Sequence, residues 1–170
     1  MAELRPKIVK LCKVVGGLSG MMNKIAEYAP EYYSLASILT DDEADVAIAA
    51  GLRKERTAEY LAEKTGFSLE KTQKIMERLA WIGVFRVTKD RTDGKDRAYM
   101  QIFAPGIMEM LVNNKELLAT HPEVGRAFEE YTRIRMATMA PMLPNGYGLM
   151  RVVPIESSIQ DIEGVNDFDK

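Results

Sequence analysis

Apolar positions along the chain fall into stretches of helical spacing and one pair of alternating runs. Leu69, Thr72, Ile75, Met76, Leu79 and Ile82 recur at three and four positions, so they share one face of a helix. Ser68 stands where that helix wants an N-cap, and Gly83 stands where it stops. A shorter helix from Thr57 to Lys64 precedes it, with Thr57 as its cap and Gly66 as its end. Val84 to Lys89 and Ala98 to Phe103 alternate as half-buried strands. Asp90 to Lys95 joins them as a polar loop in which Asp93-Gly94 is a strong turn signal. Upstream, Thr40 to Glu43 reads as a capping box, followed by a helix over Ala44 to Ala50 and a stop at Gly51.

The flanks are less regular. Ile8, Leu11, Val15, Leu18, Met22 and Ile25 predict an amphipathic helix of roughly 20 residues. Gly16, Gly17 and Gly20 weaken that helix but permit close approach by another backbone. Its charges are mostly positive, with Arg5, Lys7, Lys10, Lys13 and Lys24 against Glu3. Such a helix either lies on a membrane surface or packs on the core or on a twin chain. Pro30 is read as the end of this segment, and Tyr32, Tyr33, Leu35, Ile38 and Leu39 as a short apolar bridge. After the strands, Ala104-Pro105-Gly106 breaks the chain and Ile107 to Leu118 reads as one helix. His121-Pro122 interrupts, and Glu123 to Met139 reads as another helix with Val124, Phe128, Tyr131 and Met139 turned inward. Pro141 to Gly148 is a loop, Leu149 to Ile155 is strand-like, and the end from Glu156 is acidic and solvated.

The order of a short helix, a turn, a longer helix and two strands around a polar loop is that of a winged helix-turn-helix. The expected fold is therefore mainly α, of the α+β class, with a two-stranded wing and extra N- and C-terminal helices. Four segments follow: an N-terminal helix and linker over residues 1–39, the winged unit over 40–103, C-terminal helices and a strand over 104–159, and an acidic tail over 160–170.

Composition narrows the function. An apolar fraction of 46% and a charged fraction of 28% over 170 residues fit an ordinary soluble globular protein. A net charge of −2 exerts no overall pull toward nucleic acid, so any basic surface is local. One cysteine, Cys12, excludes an internal disulfide and fits a reducing cytoplasm. No apolar run approaches a membrane span, and Met1 to Pro6 lacks the features of a signal peptide. Zinc sites need several Cys or His ligands, and His121 is the only histidine. Nucleophilic catalysis would have to use His121, which has no supporting motif near it. Asn145 to Gly148 has the wrong glycine count and context for a phosphate loop. The acids Asp41, Asp42, Glu43 and Asp45 resemble a cation site, but a first helical turn attracts acids through the helix dipole. No catalytic residue, metal ligand or cofactor-binding residue is assigned to the chain.

Binding is the remaining chemistry. In a helix-turn-helix the second helix enters the major groove, and its outward residues here are Lys71, Gln73, Lys74, Glu77 and Arg78. The wing adds Lys89, Arg91, Lys95 and Arg97. Lysines and arginines would neutralise phosphates, while Gln73 or Arg78 could reach base edges. The basic excess between Ser68 and Arg97 is modest, because Glu70, Glu77, Asp90, Asp93 and Asp96 lie in the same stretch. Solvated mixed charge and contact with a protein are the competing readings. Trp81 falls opposite Ile75, Leu79 and Ile82, on the solvent side of its own helix. It is either covered by the flanking helices or kept for an interface with a partner or a second copy.

Phe103 to Asn113, His121 to Gly125, Ala127 to Tyr131 and Met150 to Glu156, taken with the winged unit, resemble the N-terminal region of bacterial 4Fe–4S ferredoxin-type proteins of anaerobes. The resemblance spans roughly residues 40–159 and implies a redox context, with a redox protein or DNA as partner. The winged part also looks like regulators of the multiple-antibiotic-resistance type, at the level of fold. The chain itself lacks cluster cysteines, so a cluster is expected only in a C-terminal region encoded downstream. The alternative is a free-standing DNA-binding regulator working as a dimer.

Overall fold

A computed structural model describes residues 4–16, 25–139 and 141, apart from the side chains of residues 135, 136, 138 and 139. The chain divides into a compact unit over Met1–Arg135 and a second over Met136–Lys170. The architecture is mainly helical with a small antiparallel sheet, an α+β arrangement. In chain order it has α1 (Pro6–Val15), α2 (Pro30–Ile38), α3 (Asp41–Ala50), β1 (Glu55–Thr57), α4 (Ala58–Thr65), α5 (Leu69–Ile82), β2 (Phe85–Lys89), β3 (Asp96–Met100), α6 (Met108–Asn113), α7 (Lys115–Thr120) and α8 (Glu123–Met139).

Helix ends follow local chemistry. Thr40 and Glu43 form the reciprocal capping box of α3: the Thr40 N–H donates to Glu43 Oε2 at 2.7 Å, and the Glu43 N–H donates to Thr40 Oγ1 at 3.2 Å. The Thr57 hydroxyl accepts from the Tyr60 N–H to start α4, and Gly66, at φ 75°, closes it. Ser68 Oγ accepts from the Lys71 N–H at 3.2 Å to start α5. Gly83 ends α5 at φ 95°, and a Cβ there would lie 2.6 Å from Met110 Cβ. Both the left-handed turn and the close pass of α6 require glycine at this point.

The inner stripe of α5 is Thr72, Ile75, Met76, Leu79 and Ile82, all buried, whereas Leu69, expected on that face, is exposed at the start of the helix. The buried stripe joins one core with Val46 and Ala47 of α3, Leu61 of α4, Ala98 and Met100 of β3, and Phe103. α1 packs on α2 and α3 and buries Ile8, Leu11, Cys12 and Val15. Two basic residues at its start meet the acids of α3. Arg5 pairs with Asp41 and donates to the carbonyls of Ala36 and Leu39, each at 2.9 Å, and Lys7 pairs with Asp45. The acid cluster of α3 is thus taken up by its cap and by cations of neighbouring helices.

Several expectations need correction. The two expected strands pair as a hairpin, and an unexpected third, β1, joins them in the order β1-β3-β2. β1 is only three residues long and carries two charged side chains, so it has no hydrophobic alternation to find. β2 does not alternate in burial either: only Phe85 is buried, and the rest of this edge strand is exposed. The N-terminal helix is ten residues long and stops at Gly16, while residues 17–24 lie outside those described. Pro30 does not end an element. It occupies the first turn of α2, where its missing N–H costs nothing. The supposed bridge at Tyr32 to Leu39 is largely this helix. The helix expected over Ile107 to Leu118 is broken at Asn114, which ends α6 and caps α7 by accepting from the Leu117 N–H. In α8, Val124 and Ala127 are buried and Phe128 and Tyr131 are partly so; the expectation for Met139 lies outside the described side chains. The strand expected over Leu149 to Ile155 and the acidic tail also lie outside the described residues.

Candidate interface on helix α5 and the β2–β3 hairpin

β2 packs on α5, and a groove runs between α5 and the β2–β3 hairpin. The hairpin loop is held by local bonds. The Asp90 N–H donates to the Lys95 carbonyl at 2.8 Å, and the Thr92 N–H donates to Asp90 Oδ1 at 2.7 Å. Gly94 supplies the positive φ that the Asp93-Gly94 turn signal called for.

The residues singled out from sequence divide sharply by what they touch. Lys71 Nζ lies 2.7 Å from Asp42 Oδ2 of α3 and 3.9 Å from the centre of the Phe67 ring. Lys74 pairs with Glu70 one turn earlier at 2.7 Å. Arg78 reaches toward Glu43 at 3.9 Å and stacks over Trp81 at 4.8 Å. Lys95 pairs with Glu59 at 3.0 Å. Arg97 bridges Asp90 and Asp93 at 2.7 and 2.6 Å. Among the described residues, Lys89 and Arg91 on the hairpin have no acidic partner, and neither does Arg86 on β2. Gln73 is exposed and lines a groove between α5 and the hairpin.

Ionisation follows these contacts. The Lys71 ammonium bonded to Asp42 holds that carboxyl below its usual range. The backbone N–H at the start of α4, and then Lys95, bring the Glu59 carboxyl down to about 2. The Thr92 N–H, and then Arg97, lower Asp90, and Asp90 in turn raises Arg97. At neutral pH all of these carboxylates carry charge. The face is therefore mixed in sign, with acids seated among the bases.

Trp81 is 49% exposed. Its backbone carbonyl accepts from Asn114 Nδ2 at 2.9 Å, which ties the end of α5 to the α6–α7 junction. Half of its surface is left open, and Met110, 52% exposed, lies against the same end of α5 through Gly83. Sequence reasoning missed Asp42, Glu43 and Glu59 as partners of the α5 and hairpin cations. They sit on α3 and α4, and no spacing rule links them to α5.

Cys12 is fully buried, donates Sγ to the Glu31 carbonyl at 3.4 Å, and has its thiol pKa pushed up by burial. A 4Fe–4S cluster takes four thiolates at accessible positions, so the residues of this chain do not fit that group. No helix among the described residues is long and apolar enough to cross a membrane. No protein-family model, curated protein or solved structure matches the chain.

Proposed function

We propose that this chain is a non-catalytic winged helix-turn-helix module that binds a partner protein, and that it is the N-terminal part of a 4Fe–4S ferredoxin-type protein working in the cytoplasm. The winged reading is supported by the element order α3, β1, α4, α5, β2, β3 together with the sheet order β1-β3-β2. This arrangement presents α5 on one surface with a hairpin beside it. The redox context rests on the sequence resemblance alone.

The observation that favours a protein over DNA is the pairing of the cations. Lys71, Lys74, Arg78, Lys95 and Arg97 each have a carboxylate beside them. Exposed pairs of this kind contribute about 0–1 kcal/mol, so a phosphate could displace them. Displacement would leave Asp42, Glu70, Glu59, Asp90 and Asp93 unpaired beside a polyanion, and like charge opposes that approach. Trp81 adds an aromatic anchor of the kind that protein interfaces use. The test is titration of the full chain with mixed-sequence duplex DNA at low salt, where no salt-dependent complex is expected. The iron–sulfur context has its own test in the gene. Cysteine runs of the CxxCxxC type are expected downstream of Lys170, and a native stop codon there would remove that part of the proposal.

A second reading, a free-standing DNA-binding regulator acting as a dimer, is favoured by Arg86, Lys89 and Arg91, which form no ion pair among the described residues. If duplex binds, and charge reversal at Lys74 and Arg91 weakens binding at all sequences and flattens its salt slope, this reading replaces the first.

A further inference from the structure

We propose that the groove between α5 and the hairpin takes an extended, basic segment of the partner protein, added as a fourth strand along β2. This rests on the partner-protein reading above and names the chemistry of the partner.

Two observations carry it. The first is the open edge. β2 is the terminal strand of the sheet, and no other described strand lies along its outer side. An open edge offers a row of N–H and C=O groups that a polypeptide can match and a nucleic acid cannot. The second is the groove next to that edge, about 650 Å³ in volume. Its lining includes Met76, Ala80 and Val87, and its charged groups are Glu59, Glu77 and Asp96 against Lys95, an acidic excess. Val87, an apolar residue, is 36% exposed there. Glu59 also lines the groove but is engaged by Lys95. Among the described residues, neither Glu77 nor Asp96 forms an ion pair, although Lys89 stands opposite Asp96 in the β2–β3 register.

Side chains alternate along β2. Val87 lines the groove, while Arg86 and Thr88 line a separate hollow with Glu55 and Tyr99. An added strand would alternate in the same way. Its groove-side positions would meet Val87 together with the carboxylates of Glu77 and Asp96. A lysine or arginine there places its methylenes on the apolar lining and its charge near the acids. A duplex would instead bring phosphates to those carboxylates.

The experiment is selection of a random-peptide library on the intact chain, followed by affinity measurement of the enriched peptides. The expected peptides carry Lys or Arg at alternating positions. They should bind the E77K/D96K double variant about tenfold more weakly, and they should shift the backbone amide resonances of Arg86, Val87 and Thr88. Both substituted sites are exposed, and an unchanged melting curve checks the fold of the variant. Enriched peptides without basic residues, equal affinity for the double variant, or shifts confined to other elements would each overturn the site. A selection that enriches nothing overturns it too, while leaving the partner-protein reading to other surfaces such as Trp81. Duplex DNA run in parallel separates the two failures: duplex binding that strengthens in E77K/D96K overturns both the groove and the partner-protein reading.

Discussion

The two faces of α5 obey different rules. Its inner face, Thr72, Ile75, Met76, Leu79 and Ile82, is buried and is defined by its own periodicity. Its outer face, Lys71, Gln73, Lys74, Glu77, Arg78 and Trp81, is defined by what other elements bring to it. Asp42 and Glu43 arrive from α3, and the hairpin closes a groove along it. The inner face holds the fold together with any well-packed apolar set of the right size. The outer face sets the charge this surface presents, and a row of lysines and an arginine that looks basic as a string is nearly neutral once Asp42, Glu70 and Glu43 are in place.

The sharpest way to test that division is on the inner face. Leu79 is fully buried, and Leu79→Ala is expected to destabilise the chain by ~2–5 kcal/mol, read as a lower urea midpoint. A loss below 1 kcal/mol would mean that this face is not the core. Gly83→Ala comes next. The φ of 95° and the 2.6 Å approach to Met110 Cβ give an expected loss of about 1–3 kcal/mol. A gain in stability, as at an unstrained helical glycine, would contradict the turn described here.

At the boundary between the faces, Ser68→Ala removes the hydroxyl that accepts from the Lys71 N–H and should cost ~1 kcal/mol. Ser68→Asp should restore most of that loss, since aspartate caps as well as serine. The smallest effect is on the outer face. Lys74 is largely exposed, and Lys74→Ala should move stability by less than ~0.5 kcal/mol. A larger loss would show that its pair with Glu70 is structural, and the contrast between the faces would then weaken.

Legibility followed the same line. The caps at Thr40, Thr57 and Ser68 and the stops at Gly66 and Gly83 were readable because each involves residues a few positions apart. Pro30 is ambiguous in the sequence because proline both ends one segment and opens the next, and the local string does not say which. The break at Asn114 was missed because Ile107 to Leu118 keeps apolar spacing across it, and only the side-chain bond to the Leu117 N–H shows that Asn114 caps a new helix. β1 escaped notice because its three residues form a strand only through their pairing with Arg97 to Tyr99 of β3.

The candidate surface was legible as a set of residue types but not as an electrostatic surface. Lys71, Lys74 and Arg78 stand out in the sequence because they share one helical face, and periodicity of 3.6 residues suffices to place them there. By itself the sequence determined the helical class, most helix ends, the hairpin turn and the stripe of α5 that faces the core, because these depend on contacts within about one turn. Only the tertiary structure decided that α1 supplies cations to the acids of α3, that α3 and α4 supply acids to the cations of α5 and the hairpin, and that β2 is the terminal strand among the described residues, beside a groove lined by Glu59, Glu77 and Asp96. The physical reason is that charge acts through space over several ångströms, between residues whose separation along the chain carries no information about their distance.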